Sequence, residues 1–162
     1  MTRYVILFLA LMTCCAHAAD GISFSSLKAG DTITVHYTSK GCFHDYSENF
    51  TFKGGKPVSV KVTQIGSSWD EKLKKRIPNR EKGLGTLVLN KKDLSRLDNL
   101  FKFYRNGGDR SISTTQDSIH IKLFHNGILT REEKFYDHTG ATHTMKNVLT
   151  FPELSARLEK KN

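Results

Sequence analysis

The chain has 162 residues, with 25 Lys and Arg against 16 Asp and Glu, a formal charge of +9 and 38% apolar side chains. This length suits one domain whose core needs no metal or disulfide staple, and the apolar and aromatic content excludes a disordered chain. The positive balance suits an anionic partner or surface, such as an acidic protein, nucleic acid or lipid headgroups, but does not by itself call for nucleic acid.

Met1-Thr-Arg-Tyr opens the chain with one positive charge, Val5 to Met12 is unbroken apolar sequence, and Ala16-His17-Ala18 is a small-x-small pattern. That order is a secretory signal peptide, so residues 1–18 are expected to be removed and residues 19–162 to form the exported domain. The expected location is periplasmic or secreted. The apolar run falls short of the roughly 20 residues of a membrane span, and no later segment approaches it, so no transmembrane segment is expected. Cys14 and Cys15 suit lipid attachment poorly, because Thr13 and Cys14 precede them instead of Ala, Gly or Ser. Cleavage leaves 24 basic against 16 acidic residues, a net +8, and Cys42 as the one thiol. An intramolecular disulfide is then impossible. Cys42 reads as a buried small hydrophobe, an intermolecular bridge or a reactive group.

Thr32 to Tyr37 alternates, with Ile33, Val35 and Tyr37 on one face, and predicts a half-buried strand. Ser47 to Lys53 alternates through Phe50 and Phe52, and Val58, Val60 and Val62 resume the pattern after Gly54-Gly55-Lys56, a hairpin signature. Leu84 to Leu89 predicts a further, less regular strand. Asn90 is a good helix N-cap with Asp93 in the first turn. Leu94, Leu97, Leu100, Phe101 and Tyr104 form one apolar helical face, Lys92, Arg96 and Lys102 lie on the other side, and Asn106-Gly107-Gly108 ends the helix. Asp117 to His125, Asn126-Gly127 and Ile128 to Tyr136 predict a second hairpin. Thr150-Phe-Pro-Glu153 reads as a capping box for a final helix carrying Leu154 and Leu158. Strands, helix, hairpin and helix in that order predict an α+β domain: an antiparallel sheet of about five or six strands packed by one or two helices.

The Gly41-Cys42-Phe43 turn, followed by Tyr46 and the Phe50/Phe52 strand, the segment Leu87 to Leu94 and the Ile119 to Gly127 hairpin carry a likeness. Together they resemble small exported bacterial domains of uncharacterised function with a Gly-Cys-aromatic turn. This chain lacks the second cysteine and the proline associated with that turn. The resemblance implies an α+β fold and an exported bacterial protein, and implies no activity.

Gly66 to Gly83 is the least strand-like stretch and holds the sole tryptophan, Trp69, among Lys72, Lys74, Lys75, Arg76, Arg80 and Lys82. Trp69, Leu73 and Ile77 recur at every fourth position, which predicts a short amphipathic helix before Pro78; the plainer alternative is a solvated connection with Trp69 tucked into the core. Tryptophan and arginine favour binding hot spots, so Trp69, Lys74, Lys75 and Arg76 are the candidate partner contacts. Cys42 and His44 form a candidate reactive thiol and base, but two residues fall short of a zinc site, which needs three or four ligands. The remaining histidines read as a scattered surface set; no HExxH or CxxC spacing, phosphate-cradling loop or GxSxG elbow is present, so no cofactor, metal or catalytic residue is assigned. Asn49-Phe50-Thr51 matches a glycosylation sequon, but it falls inside a predicted strand. The expected function is non-enzymatic binding of a protein partner by an exported protein, as an inhibitor or a toxin-immunity protein. The alternatives are a thiol- or metal-dependent enzyme centred on Cys42 and His44, and an envelope-associated protein held by charge to anionic lipid or polymer.

Overall fold

A computed structural model describes residues 21–41, 44–107, 116–137 and 145–160. Residues 1–20 (which include the expected signal sequence), Cys42 and Phe43, Gly108, and the histidines at 138 and 143 lie outside the described residues.

Seven antiparallel strands form one sheet: β1 (Asp31–Lys40), β2 (Asp45–Lys53), β3 (Val58–Asp70), β4 (Lys75–Pro78), β5 (Lys82–Leu89), β6 (Gln116–His125) and β7 (Ile128–Asp137). Their order is β4-β3-β2-β1-β6-β7, and β5 lies beside β4 on the same flank of β3. The sheet is larger than the five or six strands expected, because β3 runs far past Val62 and β4 pairs with its overhang. Among the described residues, two helices, α1 (Lys91–Arg105) and α2 (Phe151–Glu159), complete the α+β architecture.

The alternating apolar residues face the helices. Ile33, Val35, Phe50, Phe52, Val60, Val62, Ile119 and Ile121 are fully buried against Leu97, Leu100 and Phe101 of α1 and Phe151 and Leu154 of α2. The ring of Phe151 lies 4.8 Å from Phe50 and 6.1 Å from Phe101, contacts that add about 0.5–1.5 kcal/mol each beyond area burial. The irregular pattern of Leu84 to Leu89 has a local cause. Thr63 pairs with Gly83 and Val62 with Gly85, so Leu84 is the extra residue of a bulge and turns into the core. Gly85 takes φ +119°, a conformation that favours glycine.

Asn90 caps α1 in a full capping box: its side chain accepts from Asp93 N, and the Asp93 carboxylate accepts from Asn90 N. At α2 only half of the expected box forms. Thr150 Oγ1 accepts from Glu153 N, but the Glu153 carboxylate turns to Arg96 at 3.0 Å and Arg157 at 2.8 Å. Arg96 is therefore no solvent-side residue: it ties α1 to α2 and to the Val148 carbonyl. Chain periodicity gave no hint of a third contribution, residues 22–27. Ile22 and Phe24 enter the core, held by Asp98, which accepts from Phe24 N and Ser25 N, and by Glu133, which accepts from Ile22 N. Among the described residues, no helix is long and apolar enough to cross a membrane.

Candidate functional site

Beyond the edge of the core, β3 and β4 project as a hairpin. Asp70 starts its turn: one carboxylate oxygen accepts from Lys72 N and Leu73 N, both at 2.9 Å. The turn ends at Lys74, which takes φ +49°, and Arg76 then pairs with Trp69 across the ladder. The short helix predicted here is overturned. The left-handed Lys74 stops the helical turn after residues 71–74, and Pro78 has no N–H to extend it, while β3 offers a ladder to Lys75–Pro78.

The turn also overturns the expectation of a core tryptophan. Trp69 is 54% exposed and Leu73, at the tip, 59%. Lys72, Lys74, Lys75 and Arg76 surround them. The two local carboxylates are engaged, Asp70 with backbone amides and Glu71 with Lys74 at 2.9 Å. That ion pair is highly exposed and contributes little stability. Among the described residues, Lys72, Lys75 and Arg76 meet no carboxylate. By contrast Arg96, Arg105 and Arg157 all pair with carboxylates inside the fold. The structure thus gathers Trp69, Lys74, Lys75 and Arg76 on one projecting element.

The second candidate, Cys42 with His44, is only half described. Gly41 N donates to the His44 carbonyl at 2.9 Å, closing the turn from β1 to β2. The His44 ring lies against Gly41, where a Cβ would stand 2.6 Å from Cε1. Its Nε2 is 2.9 Å from the hydroxyl of Ser39, which is buried. Among the described residues, no group of three or more His, Cys, Asp or Glu is arranged to hold a metal ion.

The same end of the core face holds a set of buried polar groups that the sequence reading missed. The Tyr37 hydroxyl donates to Asp117 at 2.8 Å, and burial, then the Asp117 charge, pushes the phenol far above its ordinary range. Glu48, 1% exposed, accepts from Gln64 through one oxygen; among the described residues, its other oxygen, the Ser155 hydroxyl and one Asp117 oxygen meet no partner at hydrogen-bond geometry. Burial pushes the Glu48 carboxyl up to about 7, with Ser155 and Gln64 opposing the rise and Glu159 adding to it. One signal could have found Glu48: it shares strand parity with Phe50 and Phe52, so it had to point inward.

His36 and His120 lie on the opposite, outer face, as expected, but they are not scattered. They sit directly across from each other on β1 and β6. His36 Nδ1 is 2.8 Å from the Asn49 side-chain oxygen, and His120 Nε2 pairs with Glu132. The asparagine of the sequon is thus in mid-strand with its side chain engaged. Comparison with protein-family models, with curated proteins and with solved structures finds no match for this chain.

Proposed function

We propose that this is an exported, non-enzymatic protein that binds a protein partner through the β3–β4 hairpin, as an inhibitor or a toxin-immunity protein. The supporting observation is the placement of Trp69, largely exposed and directly opposite Arg76 on a strand pair. A tryptophan left in water forgoes a large burial gain, which a partner surface would restore. Tryptophan and arginine are the residue types most enriched where binding energy concentrates. Lys74 and Lys75 beside them steer an acidic partner and raise the rate of encounter.

The test compares the wild-type protein with a Trp69→Ala/Arg76→Ala variant in affinity capture from an envelope extract at moderate salt. The wild type should retain one stoichiometric protein that the variant loses, with no change in thermal midpoint, because neither side chain is in the core. Equal retention by both proteins would exclude the hairpin as the contact.

A further inference from the structure

We infer that the groove at the base of the hairpin is a carboxylate-binding site, into which the partner proposed above inserts an acidic side chain. The groove is a concavity of about 260 Å³ on the outer face of the sheet. Four adjacent strands supply its working residues: Thr38 and Lys40 from β1, Ser47 from β2, Ser67 from β3 and Arg76 from β4. His36 lines the near end, and Asp45 is the one acid in the lining.

Hydrogen bonding aims Arg76 into this groove. The Ser67 hydroxyl donates to the Asp45 carbonyl at 2.7 Å and accepts from Arg76 Nη1 at 3.4 Å. Ser67 thereby has no hydrogen left to donate to a ligand and acts as a positioning residue. Among the described residues, the other guanidinium donors of Arg76 meet no acceptor, and Lys40 pairs with no carboxylate. An Arg fork with two free donors matches the planar carboxylate group, and Lys40 and the Ser47 hydroxyl add donors from the facing wall. Lys40 and Arg76 less Asp45 leave the lining with one net positive charge, which a single carboxylate neutralises. Trp69 stands directly across the ladder from Arg76, so one acidic segment can cover the indole and fill the groove together.

The experiment follows backbone and Arg side-chain NMR signals of the ¹⁵N-labelled protein. Three probes are titrated separately: a four-glutamate peptide, inorganic phosphate and anionic phosphatidylglycerol vesicles. The peptide should shift Thr38, Ser47, Ser67 and the Arg76 Nε–H with saturation. Arg76→Gln should weaken that binding about tenfold, with Arg76→Lys recovering only part of it. Peptide shifts spread over all exposed lysines without saturation, or phosphate or vesicles binding as tightly as the peptide, would overturn the carboxylate assignment. Capture of the partner separates the two proposals. If Trp69→Ala loses the partner while Arg76→Gln keeps it, the hairpin contact stands and the groove site fails. If Trp69→Ala keeps the partner, the hairpin contact itself fails.

Discussion

Replacing Glu48 with Gln should remove a pH-dependent loss of stability built into the core. Glu48 is buried, and its carboxyl is raised from 4.5 to about 7, first by burial. A carboxyl raised on folding favours the folded state when neutral. Its stabilising contribution is complete below about pH 4.5, declines as pH rises towards 7, and is gone above that. With these two values, linkage gives a loss of about 2–3 kcal/mol between pH 5 and pH 8. The groups facing Glu48 explain the sign. Burial strips water from the ionised carboxylate and Glu159 of α2 repels it, while Ser155 and Gln64, which can donate to it, offset only part of that cost. Gln keeps the shape, stays neutral and can donate from its amide. Urea unfolding of wild type and Glu48→Gln at several pH values from 5 to 8 isolates the effect, because titrations shared by both proteins cancel in the difference. The variant should gain about 2–3 kcal/mol on the wild type across that range. A difference that stays constant with pH, or grows as pH falls, would refute an inward-facing Glu48 of raised pKa.

Phe101→Ala should cost about 3–5 kcal/mol in urea unfolding, because its ring meets Phe24, Tyr104, Phe135 and Phe151 and no single neighbour can fill the space; a loss below 1 kcal/mol would contradict that packing. Gly41→Ala should displace the His44 ring, since the new methyl would stand 2.6 Å from Cε1. The His44 ring signals should move in NMR and stability should fall by about 1–3 kcal/mol; unmoved signals would show that the ring does not rest on Gly41.

The sheet was legible wherever one face is buried, because burial imposes the period-two pattern. Ile33-Val35-Tyr37, Phe50-Phe52, Val58-Val60-Val62 and Ile119-Ile121 all point as their parity requires. The same logic explains the failure beyond Val62. From Thr63 onward β3 leaves the cover of the helices, and no residue from 63 to 70 is buried. With neither face buried, nothing forces alternation, and the accidental spacing of Trp69, Leu73 and Ile77 mimics a helix. Residues 22–27 escaped for a different reason. They are irregular, and the groups that order them, Asp98 and Glu133, are remote in sequence.

The hairpin residues were legible by type but not by geometry, and the geometry matters for binding. A two-stranded overhang is marginal by itself in water. This one is fixed at its base: Asn79 N donates to the Gly66 carbonyl at 2.8 Å, Ser68 to Asn79 at 2.9 Å, and Ser67 to the Asp45 carbonyl on β2. These bonds hold the strands on which Trp69 and Arg76 stand before any partner arrives. Association then orders side chains more than backbone, and ordering the backbone would cost about 1–2 kcal/mol per residue. A basic tail of the same composition would carry the same charge and the same tryptophan, but it would bear that cost at each binding event. The contact proposed for Trp69 and Arg76 therefore depends on the overhang of β3, which no periodic signal in the chain announces.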